Sequence, residues 1–315
     1  MRRMVTPAAP LFLLSWCSSL AGPRRLEINQ RPIIGILAQE SQDQDLILQG
    51  KTYIAAPYVK YLESAGCRVV PIRLNLTYEE YERIFYSING ILLPGGAVDL
   101  QTSSFAKIAK IFYDLASKAF DAGDYFPIWG TCLGLQILIT LTAGKNLLIK
   151  TDTENIALPL NLTNAATSSK MFQNFPPDVY KALSAEPLAA NFHHFSITVQ
   201  TFLENEKLSK FYSILSSNTD RNGVQFVSTV EGIHYPFYCV QWHPEVIRFQ
   251  WQLDMAFPHS PHAVQVSYLL ADFFVNEARK NLHYFPTPEE ERAALIYNYN
   301  PQYVPTSSYI QVYFF

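Results

Sequence analysis

Short apolar runs alternate with amphipathic runs along the chain from Pro32 to Lys280. Apolar runs bounded by Gly or Pro are typical of buried strands, whereas apolar residues three and four positions apart are typical of helices. Strand patterns occupy residues 33–37, 68–72, 90–93, 125–129, 225–230 and 238–242, and helix patterns occupy 54–65, 78–87, 105–115, 133–142 and 262–280. This alternation predicts an α/β fold with a parallel-rich central sheet and helices on both faces. Residues 151–222 lack the regularity and are expected to form an irregular elaboration of the core.

The composition is that of a folded globular protein without a large charge imbalance. The chain has 315 residues, with 24 Lys and Arg against 27 Asp and Glu, so its formal net charge is -3. This balance argues against a nucleic-acid-binding surface. Only 16% of residues are charged and 14% are aromatic, which argues against disorder and coiled coil. We expect one domain over residues 31–285, with a C-terminal tail, residues 286–315, packed on it.

The N-terminus has the pattern of a secretory signal peptide. Arg2 and Arg3 precede an apolar run and a small-residue segment, so residues 1–22 are expected to be a signal peptide. The run is too short to span a membrane, and no later segment has the pattern of a span. Sequons at Asn75 and Asn161 predict glycosylation in the secretory pathway. We therefore expect a protein of the lysosome or the extracellular space, and the sequence does not separate the two.

The segment Phe126–Gly134 (FPIWGTCLG) places a cysteine between an apolar strand and a helix. Glycines two residues before and two residues after Cys132 are the pattern of a nucleophile elbow, a strained turn that holds the nucleophile above the sheet. The partial positive charge at the helix N-terminus favours a thiolate there. We predict that Cys132 is a nucleophile. The alternative is a buried structural cysteine, which is what we expect of Cys67 and Cys239.

The segment Gln241–Glu245 (QWHPE) contains a base and a group that can orient it. It follows a predicted strand, so His243 is expected at the edge of the sheet where parallel strands end. With a side-chain period of two, His243 and Glu245 point the same way, and Glu245 can hold one nitrogen of the imidazole. The alternative is a surface turn with an incidental ion pair.

Acyl transfer also requires hydrogen-bond donors for an oxyanion. The N–H of Leu133, directly after the cysteine, is one candidate. The turn Pro94–Gly95–Gly96 follows a predicted strand, and the N–H of Gly96 is the second candidate. The alternative for this turn is an ordinary strand end.

These three segments, in this order, resemble the motifs of the class I glutamine amidotransferase-like hydrolases. Within that group the chain is most similar to the gamma-glutamyl hydrolase family, through residues 32–37, 58–66 and 273–279. The resemblance covers the chain from about Arg31 to beyond Lys280. It implies the glutamine amidotransferase-like α/β fold.

The resemblance also implies an activity and the residues that perform it. Cys132, His243 and Glu245 are expected to form a catalytic triad that cleaves gamma-glutamyl amides of folate poly-gamma-glutamates through a thioester. His193 matches a family histidine near the substrate, with His194 beside it as the other possibility. A homodimer is implied by the family as well.

Other functions and sites remain open on the sequence alone. The alternatives are a glutaminase that releases ammonia from glutamine, a catalytically silent binding protein on the same fold and, last, a papain-like protease. Substrate carboxylates need cationic partners, for which Arg248, Lys51 and Lys60 are candidates. No cofactor or metal is expected, because His259 and His262 have no Cys or carboxylate at ligand spacing.

Overall fold

The computed structural model describes residues 28–41, 50–304 and 308–315. The expected signal peptide, residues 1–22, lies outside the described residues, as does Cys17. The strands are β1 (Ile33–Leu37), β2 (Gln39–Glu40), β3 (Thr52–Ala55), β4 (Arg68–Ile72), β5 (Ile91–Leu93), β6 (Ile128–Thr131), β7 (Ile149–Leu158), β8 (Asn161–Leu162), β9 (Ala189–Ser196), β10 (Tyr212–Thr219), β11 (Gln225–Gly232), β12 (Phe237–Val240), β13 (Gln302–Tyr303) and β14 (Gln311–Phe314). The α-helices are α1 (Ala56–Glu63), α2 (Tyr78–Phe85), α3 (Ser104–Asp121), α4 (Leu133–Ala143), α5 (Pro177–Ala185), α6 (Val199–Glu204), α7 (Glu206–Phe211), α8 (Pro261–Ala278) and α9 (Pro288–Ala294), and short 3-10 helices occupy Asn164–Ser168 and Ile296–Asn298.

Within the described residues, eight strands form the central sheet in the order β4-β1-β5-β6-β12-β11-β10-β8. The five strands from β4 to β12 pair in parallel. The remaining strands, β11, β10 and β8, pair antiparallel. This arrangement confirms the predicted α/β fold with a parallel-rich sheet.

Both faces of the central sheet are covered by apolar side chains. In β1, Ile34 and Ile36 belong to one buried cluster, whereas Ile33 and Leu37 belong to another. Successive side chains of a strand point to opposite faces, so a strand that is apolar throughout serves two cores. Helices α1 and α8 pack on the first cluster, and α2, α3 and α4 pack on the second. No helix in the described ranges is both long and apolar enough to cross a membrane.

The ends of several helices follow the signals in the sequence. Thr77 caps α2, and the Thr77 N–H donates in turn to the side chain of Glu80, which completes a capping box. Gly66, after α1, has a φ of 88°, the left-handed conformation that favours glycine after a helix. The predicted strand at 125–129 is displaced: β6 begins at Ile128 and runs directly into the cysteine turn.

The middle of the chain is more regular than its sequence indicates. β7 and β9 form a two-stranded antiparallel sheet apart from the central one. The register of the β7–β9 pair shifts twice, so the side chains of β7 do not alternate cleanly between buried and exposed positions. This explains why the sequence of this region shows no regular hydrophobic pattern. A third sheet, in the order β13-β14-β3-β2, joins the C-terminal strands to residues near the N-terminus of the domain.

His283, just beyond α8, ties the C-terminal segment to the end of α2 and to the loops that follow α2 and α3. Its Nε2 lies 2.8 Å from Asp124 Oδ2, and its Nδ1 lies 3.0 Å from the Phe85 carbonyl and 3.1 Å from the Ile88 carbonyl. Burial lowers the pKa of His283, but Asp124 and the two carbonyls outweigh burial and raise it. Acceptors on both ring nitrogens are best satisfied by the doubly protonated ring.

We expect the stability that His283 provides to depend on pH. Its folded-state pKa is raised, so its contribution is complete below the unfolded value of about 6.5 and is lost as pH rises through the folded value. His283→Gln should therefore lower the melting temperature more at about pH 5 than at about pH 9. Thermal unfolding of the two proteins at both pH values measures this, and an equal loss at both would contradict it.

Candidate active site

Three neighbouring strands of the central sheet end at the same place. β5, β6 and β12 are adjacent and parallel, so their carboxyl ends meet at one edge of the sheet. The turn Pro94–Gly96 follows β5, Cys132 follows β6, and His243 lies three residues after β12. The fold therefore gathers the three predicted motifs where α/β sheets carry their active sites.

Cys132 occupies a strained turn between β6 and α4. Its φ is 51° and its ψ is -104°, a conformation that non-glycine residues rarely adopt. A Cβ on Gly130 would lie 2.7 Å from the Gly134 carbonyl carbon, and a Cβ on Gly134 would lie 2.1 Å from the Leu93 carbonyl oxygen. Both glycines are needed because backbone atoms occupy the space that a side chain would fill.

The side chains of Cys132 and His243 meet beside Gly95, and Glu245 contacts His243. A Cβ on Gly95 would lie 2.6 Å from His243 Cε1 and 3.2 Å from Cys132 Cβ. His243 Nδ1 lies 2.7 Å from Glu245 Oε1, and both residues are buried. With Nδ1 occupied, Nε2 is the nitrogen left for Cys132, and within the described residues this buried atom has no other partner of standard hydrogen-bond geometry.

The surroundings of His243 favour its protonated form. Burial lowers the pKa of His243, but the Glu245 carboxylate and the Cys132 sulfur outweigh burial and raise it to about 10. An imidazolium beside a cysteine is the arrangement that stabilises a thiolate nucleophile.

His243 and Glu245 are in contact as expected, but not through the alternation of a strand. β12 ends at Val240, His243 lies in irregular backbone, and residues 244–249 form a turn. The His243 N–H donates to the Ala190 carbonyl at 2.8 Å, and Ser267 Oγ donates to the Pro244 carbonyl at 2.7 Å. β9 and α8 thus fix the turn from two sides.

Cys132 lies at the junction of two cavities of about 290 Å³ and 400 Å³, which together form a cleft. Both cavities are lined by Gly96, Ala97, Cys132, Phe192 and His194. The smaller cavity, here the tail-side arm, extends to Met255, Phe257, Ser308 and Tyr309. The larger cavity, here the α4-side arm, extends to Leu100, Gln136, Leu148 and His193. A bound molecule could therefore extend in two directions from the sulfur.

Comparisons with known proteins identify the family of the chain. Residues 32–245 match the model of the family Peptidase C26. The gamma-glutamyl hydrolase of Homo sapiens is 50% identical over 320 residues, which cover 99% of this chain and 100% of the human protein. The chain belongs to the gamma-glutamyl hydrolase family.

Relatives of this family extend beyond mammals. The gamma-glutamyl hydrolase of Bos taurus is 53% identical and covers 91% of this chain and 90% of its own length. Gamma-glutamyl hydrolase 1 of Arabidopsis thaliana is 36% identical, covering 91% of this chain and 84% of the plant protein. Among solved structures, the glutaminase domain of Trypanosoma brucei CTPS superimposes with a TM-score of 0.50 at 16% identity, over 80% of this chain and 95% of that domain. That likeness supports the class I glutamine amidotransferase-like fold predicted from the sequence.

His193 lies on β9 and lines the α4-side arm as a neutral ring. Its Nδ1 lies 2.8 Å from Thr153 Oγ1 and 3.0 Å from Ser196 Oγ, and its Nε2 lies 3.1 Å from Asn191 Oδ1. Burial, and then the neighbouring His243, lower the pKa of His193 to about 3. The ring therefore carries no charge at neutral or mildly acidic pH.

The basic residues considered as carboxylate partners do not line the cleft. Arg248 Nε donates to Ser267 Oγ at 2.9 Å, and its guanidinium lies 4.9 Å from the ring centroid of Phe249. Lys60 donates to the side chain of Gln311. Among the described residues that line the two arms, none is Lys or Arg, and Lys51 lies elsewhere. The charged and titratable side chains of the lining include the carboxylates of Asp99 and Glu154 and three histidines.

The two predicted glycosylation sites lie on the surface. Asn75 and Asn161 are exposed, Asn75 just before α2 and Asn161 on β8. No group of three or more His, Cys, Asp or Glu side chains suited to a metal ion occurs in the parts of the chain that the structure describes.

The sequence analysis missed three side chains near the turn Pro94–Gly96. Tyr58 accepts a hydrogen bond from the Gly95 N–H at 2.8 Å, and Gln39 donates to the Gly95 carbonyl. Tyr309, from the C-terminal segment, lines the tail-side arm and hydrogen-bonds with Tyr58. Gln39 carries a usable signal, because it comes two residues after the carboxyl end of β1. No local pattern indicates Tyr58 or Tyr309.

Proposed function

We propose that this member of the gamma-glutamyl hydrolase family cleaves gamma-glutamyl amide bonds with Cys132 as nucleophile, His243 as acid and base, and Glu245 as the group that orients His243. The observation that carries the proposal is that the Cys132 and His243 side chains meet beside Gly95 in the lining of the cleft, with Glu245 Oε1 2.7 Å from His243 Nδ1. Acyl transfer through a covalent intermediate uses a nucleophile next to a base, and the base is in turn oriented by a carboxylate.

In the first half of the reaction, the Cys132 sulfur attacks the gamma-carbonyl carbon of a glutamyl residue. The carbonyl electrons move to oxygen, and the resulting oxyanion is received by the backbone N–H groups of Gly96 and Leu133. The Leu133 N–H is free of the helix ladder because the first N–H groups of a helix have no intrahelical partner. The imidazolium of His243 then gives its proton to the leaving amine, the C–N bond breaks and a thioester remains.

In the second half, the neutral His243 removes a proton from water, and the hydroxide attacks the thioester. The same donors receive the second oxyanion, the C–S bond breaks and the sulfur regains its resting state. Glu245 holds Nδ1 throughout and stabilises each imidazolium that forms, which the raised pKa of His243 reflects.

The proposed substrate is a folate poly-gamma-glutamate. The cleft extends in two directions from Cys132, which suits a chain with groups on both sides of the scissile bond. In the α4-side arm, His193 presents an uncharged ring, held by Thr153, Ser196 and Asn191, as a polar wall for the substrate.

His194 is the histidine best placed to meet a substrate carboxylate. It lines both arms, its side chain is 64% exposed, and its Nε2 lies 3.5 Å from Glu154 Oε2. Exposed pairs of this kind contribute little, so His194→Gln should raise KM about 2- to 5-fold for a polyglutamate at mildly acidic pH, without lowering kcat. The matched control is His262→Gln, because His262 also pairs with a carboxylate, Glu186 at 2.7 Å, outside the cleft lining. Equal changes in KM for both variants would contradict this role.

The experiment that tests the proposed function is a comparison of two substrates. The purified protein is incubated with a folate poly-gamma-glutamate and, separately, with glutamine, and the products are identified by mass spectrometry. Shortening of the glutamate chain supports the proposal, and the product lengths show which bond is cut. Release of ammonia from glutamine while the folate stays intact would favour the glutaminase alternative. Absence of both reactions would favour a silent binding protein.

We further propose that the protein passes through the secretory pathway to the lysosome or the extracellular space and is glycosylated at Asn75 and Asn161. Both asparagines are exposed, as an attached glycan requires. A mass shift on enzymatic deglycosylation of the secreted protein, lost in the Asn75→Gln and Asn161→Gln double variant, tests this. The homodimer that the family resemblance implies is tested by the molar mass in solution, measured by light scattering.

A further inference from the structure

The peptide that joins Gly95 and Gly96 is gripped by side chains from outside the catalytic triad. The Gly95 carbonyl accepts a hydrogen bond from Gln39 Nε2, and the Gly95 N–H donates to Tyr58 Oη at 2.8 Å. Gln39 is only 3% exposed, and its Oε1 lies 3.4 Å from the hydroxyl of Tyr53. The two atoms of the Gln39 amide therefore face different groups, a donor toward the carbonyl and an acceptor toward Tyr53.

The grip on the carbonyl determines where the next N–H points. The Gly95 carbonyl and the Gly96 N–H belong to one peptide unit, and in a planar trans peptide these two groups point in opposite directions. With the carbonyl directed at Gln39, the Gly96 N–H is directed away from Gln39. Gly96 lines both arms of the cleft together with Cys132.

A peptide between two glycines needs such a grip. Without a Cβ on either side, the chain has little steric preference for one orientation over its flipped alternative. A Cβ on Gly96 would lie 1.8 Å from Gln39 Oε1, so a larger residue at this position would displace the Gln39 amide. Gln39 therefore packs directly against the peptide whose orientation it sets.

Gln39 belongs to the four-stranded sheet β13-β14-β3-β2 and not to the central sheet. It lies on β2, opposite Tyr53 on β3, and β3 pairs in turn with the C-terminal strand β14. The four-stranded sheet thus holds the residue that contacts the turn Pro94–Gly96.

We propose that Gln39 is a positioning residue that keeps the Gly96 N–H directed at the oxyanion, so that loss of its amide donor lets the Gly95–Gly96 peptide turn away. This inference rests on the proposed function, because it assigns Gln39 to the acyl-transfer reaction of that site. Gln39 itself touches no reacting atom.

Two substitutions separate the donor from the shape of the side chain. Gln39→Met removes the donor and should lower kcat about 100-fold, the typical effect of losing one oxyanion donor, with KM little changed. Gln39→Glu also removes the donor while the carboxylate is ionised, but a protonated carboxyl can again donate to the Gly95 carbonyl. Activity relative to the wild type at each pH should therefore rise for Gln39→Glu as the pH falls and stay flat for Gln39→Met.

The rate at which iodoacetamide alkylates Cys132 distinguishes positioning from general damage. Alkylation needs the nucleophilic sulfur but forms no oxyanion, so we expect wild-type alkylation rates in both variants. A wild-type kcat in folded Gln39→Met, or a loss of alkylation parallel to the loss of kcat, would overturn the inference. If Gln39→Met does not fold, the Gln39→Glu series decides: recovery at low pH supports the inference, and a flat ratio overturns it.

The wild-type rate in the same series separates this inference from the proposed function. A wild type that does not cleave gamma-glutamyl amides overturns both. An active wild type with equally active Gln39 variants overturns the role of Gln39 alone.

Discussion

Replacement of Cys132 by alanine should abolish gamma-glutamyl hydrolysis, with a fall in kcat of about a million-fold, the size seen when a nucleophile is removed from a comparable triad. The sulfur is the only atom lost, so the Gly96 and Leu133 donors and the cleft remain. These remaining groups do not supply a nucleophile that can replace the sulfur. Initial rates with a folate poly-gamma-glutamate measure the change.

Cys67 provides the matched control for this substitution. It is also buried, but its sulfur donates to the Leu62 carbonyl at 3.3 Å, and it does not line the cleft. Burial raises the pKa of the Cys67 thiol, which keeps it in the unreactive form. Cys67→Ala should retain wild-type kcat, and substantial activity in Cys132→Ala would contradict the assignment of the nucleophile.

Replacement of Glu245 by glutamine should lower kcat about 10³- to 10⁴-fold, in line with the loss of an orienting carboxylate in other triads. Glutamine keeps the shape of the side chain but removes the charge that faces His243 Nδ1 at 2.7 Å. That carboxylate helps to raise the pKa of His243 to about 10 against the effect of burial. The variant should therefore lose its imidazolium at a lower pH than the wild type does.

The pH profile tests the electrostatic role separately from the geometry. A proton on His243 is needed for departure of the amine, so activity falls as the pH rises through the pKa of His243. In Glu245→Gln this alkaline limb should move to lower pH. The control is Glu186→Gln, which removes the carboxylate of the exposed Glu186–His262 pair and should leave the profile in place. An unshifted alkaline limb in Glu245→Gln would refute the electrostatic role.

The positions of the candidate catalytic motifs in the fold could be predicted from the sequence because each motif has a strong local cause. The glycines around Cys132 are required by backbone atoms that lie within 3 Å of any added Cβ, so the turn leaves a readable pattern. The strands before the three motifs are equally readable, because a strand buried on both faces is apolar along most of its length. Parallel pairing then brings the ends of β5, β6 and β12 together without further information.

The environment of the triad could not be predicted in the same way. Tyr309 reaches the cleft through the pairing of β14 with β3, a contact between the two ends of the domain that no local pattern encodes. The strand that carries His193 shows no regular alternation in the sequence, because its pairing with β7 shifts register twice. Arg248 was considered for the substrate on the basis of its charge, yet its guanidinium packs against Phe249 and Ser267, away from the cleft.

The most direct test of the account is the mass of the protein during turnover. The wild-type enzyme is mixed with a folate poly-gamma-glutamate, quenched in acid within the first turnovers, and examined by intact-mass and peptide mass spectrometry. We expect an acyl group on Cys132, attached as a thioester, which disappears as the product forms and is absent in Cys132→Ala. Product formation without any acyl group on Cys132, together with an active Cys132→Ala variant, would contradict it.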